Sequence, residues 1–385
     1  MPKKPHGQYF TTAEELQQFV FDNVKHKGST LLEPSFGAGH LLKPFKALDP
    51  NYPMVCYELD TTIQPVVVFN EYQTVIYGDF TKQQITQRFK TIVGNPPYVK
   101  QRTGNLYIQF IELCFQLLEE DGELLFIVPS DFLKLTRAAP LISAMAAEGS
   151  FTDFLFPHNE KLFEGASIDV VVFRYEKGVK KPTTMVNGKE MIWTVTNGIL
   201  TFRDICAKEV CGPSLDSKFH VYVGLVSGRD EIYRVPFGNL QVLCDKGRVE
   251  TFIFAETFPT NSPQIDAHLL AHKEELLARK IKTFTETNWF AWGAPRNITS
   301  MEQHKGTPCI YVRNMTRNKE VAFVGTVQMF GGALLCLVPK QPMSQQALDT
   351  IVSYLNSSAF QSDYMYAGRF KIGHKQISNV SLPSE

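Results

Sequence analysis

Apolar residues recur at helical spacing over residues 13–24, at Leu16, Phe19, Val20 and Val24, and predict an amphipathic helix. Thr12 stands where an N-cap would, and Glu14 and Glu15 in the first turn suit the helix dipole. Short apolar runs then alternate with helical patterns. Residues 29–32, 53–57, 74–77, 91–93, 123–128, 151–156 and 168–175 read as strands, with helices over 40–48 and 106–118. Such alternation implies an α/β, doubly wound, mostly parallel sheet covered on both faces. In that fold, ligands bind outside the carboxyl ends of the strands.

The texture changes after Tyr175. Residues 178–181 form a basic connector ending at a proline, and Asn187-Gly188 and Asn197-Gly198 are hairpin signals. From about Phe219 onward, short β-like runs are broken by Gly, Pro and Asn, with helical stretches near 262–282 and 344–357. The expected division is an α/β domain over residues 1–215 and an α+β domain of irregular topology over residues 216–385.

Composition narrows the class. At 385 residues the chain has room for two cores, and its 44% hydrophobic and 20% charged content is that of a soluble globular protein. No apolar run would span a bilayer and no apolar signal region follows the first residues, so a cytoplasmic protein without membrane contact is expected. The seven cysteines are scattered without a Cys-x-x-Cys pair and the nine histidines show no ligand spacing, so no metal is expected. Net charge is zero but unevenly spread. Residues 1–176 carry 15 Lys and Arg against 21 Asp and Glu, a net −6, which leaves +6 for the remainder. That asymmetry fits a nucleic-acid partner for the second half.

The chemistry lies at strand ends. Asn95-Pro96-Pro97-Tyr98 follows the strand at 91–93. Its prolines stop the strand and stiffen the loop, which then presents an amide and an aromatic ring at the ligand edge. A planar substrate bearing an amino group needs such a pair. Glu33-Pro34-Ser35-Phe36-Gly37-Ala38-Gly39 is a glycine-bearing turn between strand and helix, and Glu33 in front of it suits a cation rather than a phosphate. Glu58 ends the next strand, where an acid can accept from ribose hydroxyls, and Asp79-Phe80 follows the third, offering an acceptor and a ring.

In order, Gly7-Gln8-Tyr9-Phe10-Thr11, Glu33 to Gly39, Tyr57-Glu58-Leu59-Asp60, Gly78-Asp79-Phe80 and Asn95 to Tyr98 resemble the AdoMet-dependent DNA adenine-N6 methyltransferases of the gamma arrangement, including type II restriction-modification methylases. The resemblance covers residues 7–176 by motif and the rest by position. Thr12 stands where the family often has proline. The resemblance implies a Rossmann-like catalytic sheet followed by a target-recognition domain. It implies Thr11 and Glu33 at the amino-acid end of AdoMet, with Ser35, Phe36, Gly37 and Gly39 in the loop beneath it. Glu58, with Leu59 beside it, would take the ribose, and Asp79 and Phe80 the cofactor adenine. Asn95 would be the catalytic amide, assisted by the Pro96 carbonyl, and Tyr98 would stack on a flipped adenine. Phe163, in Leu162-Phe163-Glu164-Gly165, matches the second aromatic, although Ala166 departs from the basic residue some members have there.

Double-stranded DNA is the implied partner, with Arg229, Arg296, Arg313, Arg317, Arg369 and Lys371 as candidate contacts in the second half. A cognate restriction endonuclease would be a separate protein, and a monomer suffices because one chain carries both chemistry and reader. RNA adenine and protein-glutamine methyltransferases use the same loop and remain alternatives.

Overall fold

The structure, a computed structural model, describes residues 9–101, 104–157, 162–163, 169–206, 212–366 and 369–383. Gly7, Gln8, Glu164, Gly165 and Ala166, named above, lie outside those residues. The chain divides into two compact units, Met1–Ala207 and Lys208–Glu385. The division falls a little before the expected 215/216. The intervening segment joins the second unit because Leu215 N–H donates to Val380 O at 2.7 Å and Leu382 N–H to Pro213 O at 2.9 Å.

The first unit is built on one ten-stranded sheet among the described residues. Its strands are β1 (Leu31–Glu33), β2 (Met54–Glu58), β3 (Gln73–Tyr77), β4 (Phe89–Gly94), β5 (Leu118–Pro129), β6 (Gly149–Leu155), β7 (Val170–Lys177), β8 (Thr183–Val186), β9 (Lys189–Thr196) and β10 (Ile199–Asp204). The order is β10-β9-β8-β6-β7-β5-β4-β1-β2-β3. The run β3-β2-β1-β4-β5 is parallel, with Leu31 opposite both Met54 and Thr91. That register brings the carboxyl ends of β1, β2, β3 and β4 to one edge. The order reverses between β1 and β4, the switch point where doubly wound sheets bind ligands.

The sheet is less uniformly parallel than the sequence suggests. Strand β7 inserts antiparallel between β5 and β6, and the two Asn-Gly hairpins extend the same sheet through β8, β9 and β10. Asn187 and Gly188 (φ 48° and 79°) and Asn197 and Gly198 (φ 53° and 73°) take the paired positive angles that a two-residue hairpin turn requires.

The helices of this unit are α1 (Glu14–Asn23), α2 (Lys43–Leu48), α3 (Leu106–Leu117) and α4 (Ala139–Glu148). Helix α1 buries Leu16 and Val20, as its spacing predicts. Its N-cap is Ala13 and not Thr12, because the chain is still extended at Ala13 (ψ 117°) and no side chain caps the helix. The expected helix over 40–48 is a 3₁₀ turn, His40–Leu42, running into α2, whose first turn accommodates Pro44.

At the amino ends of β4 and β5 an ion network is buried. Glu123 is fully buried and accepts from Arg174 Nε at 3.0 Å and Nη2 at 2.7 Å. It also accepts the backbone N–H groups of Lys25 and His26, at 2.9 and 2.8 Å, just past the end of α1. Arg174 Nη1 donates to Thr152 Oγ1 at 2.8 Å and pairs with Glu176. Burial works against the Glu176 charge, but hydrogen bonds from Arg174 and Lys25 outweigh it and bring the carboxyl down to about 2.

The second unit is α+β. Its main sheet is antiparallel, in the order Phe219–Val223, Leu334–Pro339, Pro308–Arg313, Ala322–Thr326, and helix Gln345–Leu355 packs against it. Beside these strands Tyr233, Phe252, Trp289 and Trp292 form an aromatic core. A small sheet pairs Met315–Thr316 with Arg369–Lys371 and then Met365–Tyr366.

Candidate active site

The strand β4 is buried almost throughout and stops at Gly94. A Cβ there would stand 3.0 Å from the Phe126 ring and 3.2 Å from Glu33 Oε1, a tight fit that glycine avoids where β1 and β4 meet at this edge. Asn95 follows. Its Nδ2 donates to Tyr9 O at 2.7 Å and to Thr11 Oγ1 at 3.0 Å. Both amide hydrogens are therefore committed, and Oδ1 faces the other way. There it accepts from the Tyr98 hydroxyl at 2.7 Å, and the same hydroxyl lies 3.1 Å from Ile127 O. Burial holds the Tyr98 phenol well above the usual tyrosine range, so it stays a donor.

Tyr98 is stacked on Tyr9 (centroids 5.4 Å, planes at 29°) and meets Phe163 edge-on at 6.2 Å. Phe163 is 2% exposed and belongs to the core beneath the sheet. Both expected stacking rings are thus near Asn95, but packed on one another rather than open. Pro96 is buried at the same turn.

A cavity of about 220 Å³ opens beside Asn95 along the strand ends. Glu33, Ser35, Phe36 and Gly37 line it from the β1 turn, and Glu58 and Leu59 from the end of β2. Asp79 and Phe80 line it from β3, and Thr11 from the N-terminal segment. Gly39, at φ 78°, does not line it but lets the turn pass Val67, whose Cγ2 would meet a Cβ at 2.8 Å. Gly37, at φ 55°, lies under Phe10.

The three acids differ in state. Glu33 is 1% exposed, with one long contact from Ser35 N–H at 3.4 Å. Burial pushes its carboxyl well above the ordinary range; the Ser35 N–H pulls it back less strongly, and the nearby Glu58 charge adds a still smaller push upward. Glu58 is held by backbone donors: Oε2 accepts from Gly37 N–H and Oε1 from Asp60 N–H, each at 2.8 Å. Asp79 Oδ1 caps the following turn, accepting from Thr81 N–H at 3.0 Å, and Oδ2 lies 3.1 Å from Lys82 Nζ. Burial opposes ionisation at Asp79, but Thr81 and Lys82 prevail and lower its pKa.

Sequence reasoning did not single out several lining groups. Tyr9 and Phe10 counted only as motif text, and Phe110 on α3 only as an apolar helix position; its ring stacks on Phe80 at 5.3 Å. His40 also lines the cavity, with its Nδ1 buried and lacking a hydrogen-bond partner. Burial, then the Lys43 charge, lowers the His40 pKa and keeps the ring neutral. A buried acid with little compensation and an orphaned imidazole nitrogen together fit a ligand carrying both a cationic and an accepting or donating polar group, as the amino-acid end of AdoMet does. The paired rings Phe80 and Phe110 and the fixed Glu58 carboxylate fit a nucleoside. No cluster among the described residues would hold a metal.

The expected DNA contacts separate. Arg313 is 8% exposed, its Nε donating to Asp245 Oδ1 at 2.8 Å and its Nη1 to the Glu320 carbonyl. It is an internal strut of the second unit and is withdrawn as a DNA contact. The strand pairing Thr316 to Phe370 brings Arg317 alongside Arg369 and Lys371. The bridge between Val226 and Ala294 brings the Arg229 and Arg296 loops together. Arg296 is exposed, while Arg229 pairs with Glu231 at 3.0 Å.

Residues 67–163 match the Eco57I restriction-modification methylase family. The chain is 29% identical to the type II methyltransferase M.HincII of Haemophilus influenzae over 195 residues, covering 45% of this chain and 37% of that protein. It is 28% identical to M.TthHB8I of Thermus thermophilus over 234 residues, 51% of this chain and 53% of the relative. It is 30% identical to modification methylase CviBIII of Paramecium bursaria Chlorella virus NC1A over 147 residues, 33% of this chain and 39% of the relative. The chain thus spans about half, or less, of the length of the curated relatives it matches.

Proposed function

We propose that the chain is a site-specific DNA adenine-N6 methyltransferase that uses AdoMet. The carrying observation is the Asn95 amide beside the strand-end cavity: its two hydrogens are tied to Tyr9 and Thr11, so only its oxygen, which the Tyr98 hydroxyl now occupies, is left to accept from a substrate amino group. The likeness to type II methyltransferases supports DNA as the substrate and a restriction-modification setting. Double-stranded DNA is the proposed partner, with a separately encoded endonuclease for the same site and a monomeric enzyme.

AdoMet, when bound, supplies an electrophilic methyl group. Glu33 and His40 would hold its amino-acid end, Glu58 the ribose, and Asp79 with Phe80 the adenine. The chain's own chemistry is positional. An adenine amino group has a delocalised lone pair and is a poor nucleophile. Asn95 Oδ1 and the Pro96 carbonyl would accept its hydrogens and draw the nitrogen towards tetrahedral geometry, directing the lone pair at the methyl; as the N–C bond formed, the S–C bond would break with its electron pair leaving on the neutral thioether, and the amino group would give up one proton to solvent. A neutral amide suffices, and it leaves no charge to titrate. The target base must leave the duplex, costing a few kcal/mol, which stacking on Tyr98 would offset by about 1–3 kcal/mol; Phe163, 2% exposed in the core and edge-on to Tyr98, would support that ring rather than stack on the base itself. Because those rings are closed on Tyr9, Tyr98 must move as the base arrives.

Glu33 yields a pH prediction. A carboxyl with a raised pKa holds its proton above the ordinary range, so its ionisation costs stability as pH rises through the folded value. A bound ammonium reverses this by favouring the anion, so a proton is released on AdoMet binding and affinity climbs with pH across that window. Titration calorimetry in buffers of different ionisation enthalpy should detect the release, and Glu33→Gln should bind more weakly and release none. Buffer-independent heats for the wild type would show Glu33 already ionised before binding, and undiminished AdoMet affinity in Glu33→Gln would remove it from the ammonium site.

The function itself is tested with methyl-labelled AdoMet and unmethylated genomic DNA, followed by digestion and nucleoside chromatography. Label should appear in N6-methyldeoxyadenosine. Label in a cytosine derivative would overturn the adenine assignment, and label in no DNA nucleoside, with AdoMet bound, would shift the reading to RNA or protein.

A further inference from the structure

We infer that Thr11 is a positioning residue for Asn95, setting the rotation of its amide, rather than a group acting on the cofactor alone. The inference rests on Asn95 Oδ1 being the acceptor for the target amino group. Tyr9 O is an acceptor only, so it dictates which end of the amide is nitrogen: the flipped amide would place oxygen against oxygen. Once a base amino group has taken the place of the Tyr98 hydroxyl on Oδ1, the Tyr9 bond alone would leave the amide free to rock about that contact. The second, from Nδ2 to Thr11 Oγ1 at 3.0 Å, removes that freedom and fixes the plane in which Oδ1 is offered.

The segment that carries both acceptors is itself anchored. Thr11 is 5% exposed, and its carbonyl accepts from Gln17 Nε2 at 2.7 Å, with Gln17 6% exposed on α1. Thr12 N–H donates to Phe10 O at 2.9 Å and tightens the bend between them. Helix α1, distant in sequence from Asn95, therefore sets the attitude of the amide through Gln17 and Thr11. A residue whose sole task was to touch AdoMet would not need its hydroxyl spent on Asn95.

The test compares Thr11→Val, which keeps shape but has no acceptor, with Thr11→Ser, which restores one. In the full chain labelled with ¹⁵N-asparagine, the Asn95 side-chain amide is assigned by its loss in Asn95→Ala. Thr11→Val should move one of its two proton resonances and hasten its exchange with water, while Thr11→Ser should not. In methyl-transfer assays at saturating AdoMet, kcat should fall about tenfold for Thr11→Val, the size expected for one lost hydrogen bond, whatever the change in AdoMet Kd at this cavity-lining residue, and Thr11→Ser should recover the rate. A raised AdoMet Kd with kcat and the Asn95 resonances unaltered would overturn the inference. Because the resonance readout needs no turnover, a wild type that methylates no DNA, yet shows the Thr11-dependent shift, would indict the proposed reaction and leave the positioning role standing.

Discussion

Asn95→Ala should lower methyl transfer by about 10²–10³-fold or more while AdoMet still binds, the scale seen when a single preorganised polar group is removed from a transition state. The loss falls on chemistry because the side chain's inward bonds run to Tyr9 and Thr11, and the groups proposed to hold the cofactor, Glu33, Glu58 and Asp79, are held by contacts of their own. Asn95→Asp should be nearly as damaging. A carboxylate has no hydrogen for Tyr9 O, so the group would be repelled from its seat and turned away from the base. Single-turnover rates beside AdoMet titrations separate the two effects. A rate within tenfold of the wild type for Asn95→Ala would mean that the reaction does not pass through this amide.

The largest effect on stability is expected at Arg174. Arg174→Met leaves Glu123, fully buried, without the two guanidinium bonds that balance its charge. Breaking a buried pair from one side costs about 3–5 kcal/mol, because the remaining charge stays desolvated. Adding Glu123→Gln should recover part of that loss, since a neutral amide still accepts the Lys25 and His26 backbone N–H groups. Urea unfolding followed by circular dichroism reads both variants, and a cost under about 1 kcal/mol for Arg174→Met would show the network to be peripheral. Acid should act on the same cluster. The Glu176 carboxyl is held at about 2, so its contribution is present above the ordinary glutamate range and is lost as pH falls towards that value.

What could be seen in the sequence was whatever a strand end announces locally. Glu33, Glu58, Asp79 and Asn95 each follow a short apolar run, and parallel pairing then aligns them without further information. What could not be seen depends on partners far along the chain. Arg174 looks like a charge in a strand until Glu123, fifty-one residues earlier, is placed beside it. Arg313 resembles a surface cation because Asp245 is remote in sequence, and its burial withdraws it from the DNA contacts. The β8 to β10 hairpins are plain from their Asn-Gly turns, but which sheet they join is decided by β8 pairing with β6. Tyr9 illustrates the same gap on a smaller scale: its role comes from a backbone oxygen and a ring face, neither of which leaves a mark in residue order.

The hydroxyl of Tyr98 resting on Asn95 Oδ1 gives the proposed pocket a means of discrimination. With the pocket empty of base, that oxygen is never bare, so an arriving amino group gains little by merely meeting it; one donor replaces another. A base presenting a carbonyl at the same place displaces the phenol and supplies nothing in return. It then bears the full penalty of a stranded acceptor, about 1–3 kcal/mol, in addition to its own unpaired oxygen. In the proposed reaction, rejection of a carbonyl-bearing base would thereby be built into the resting contact.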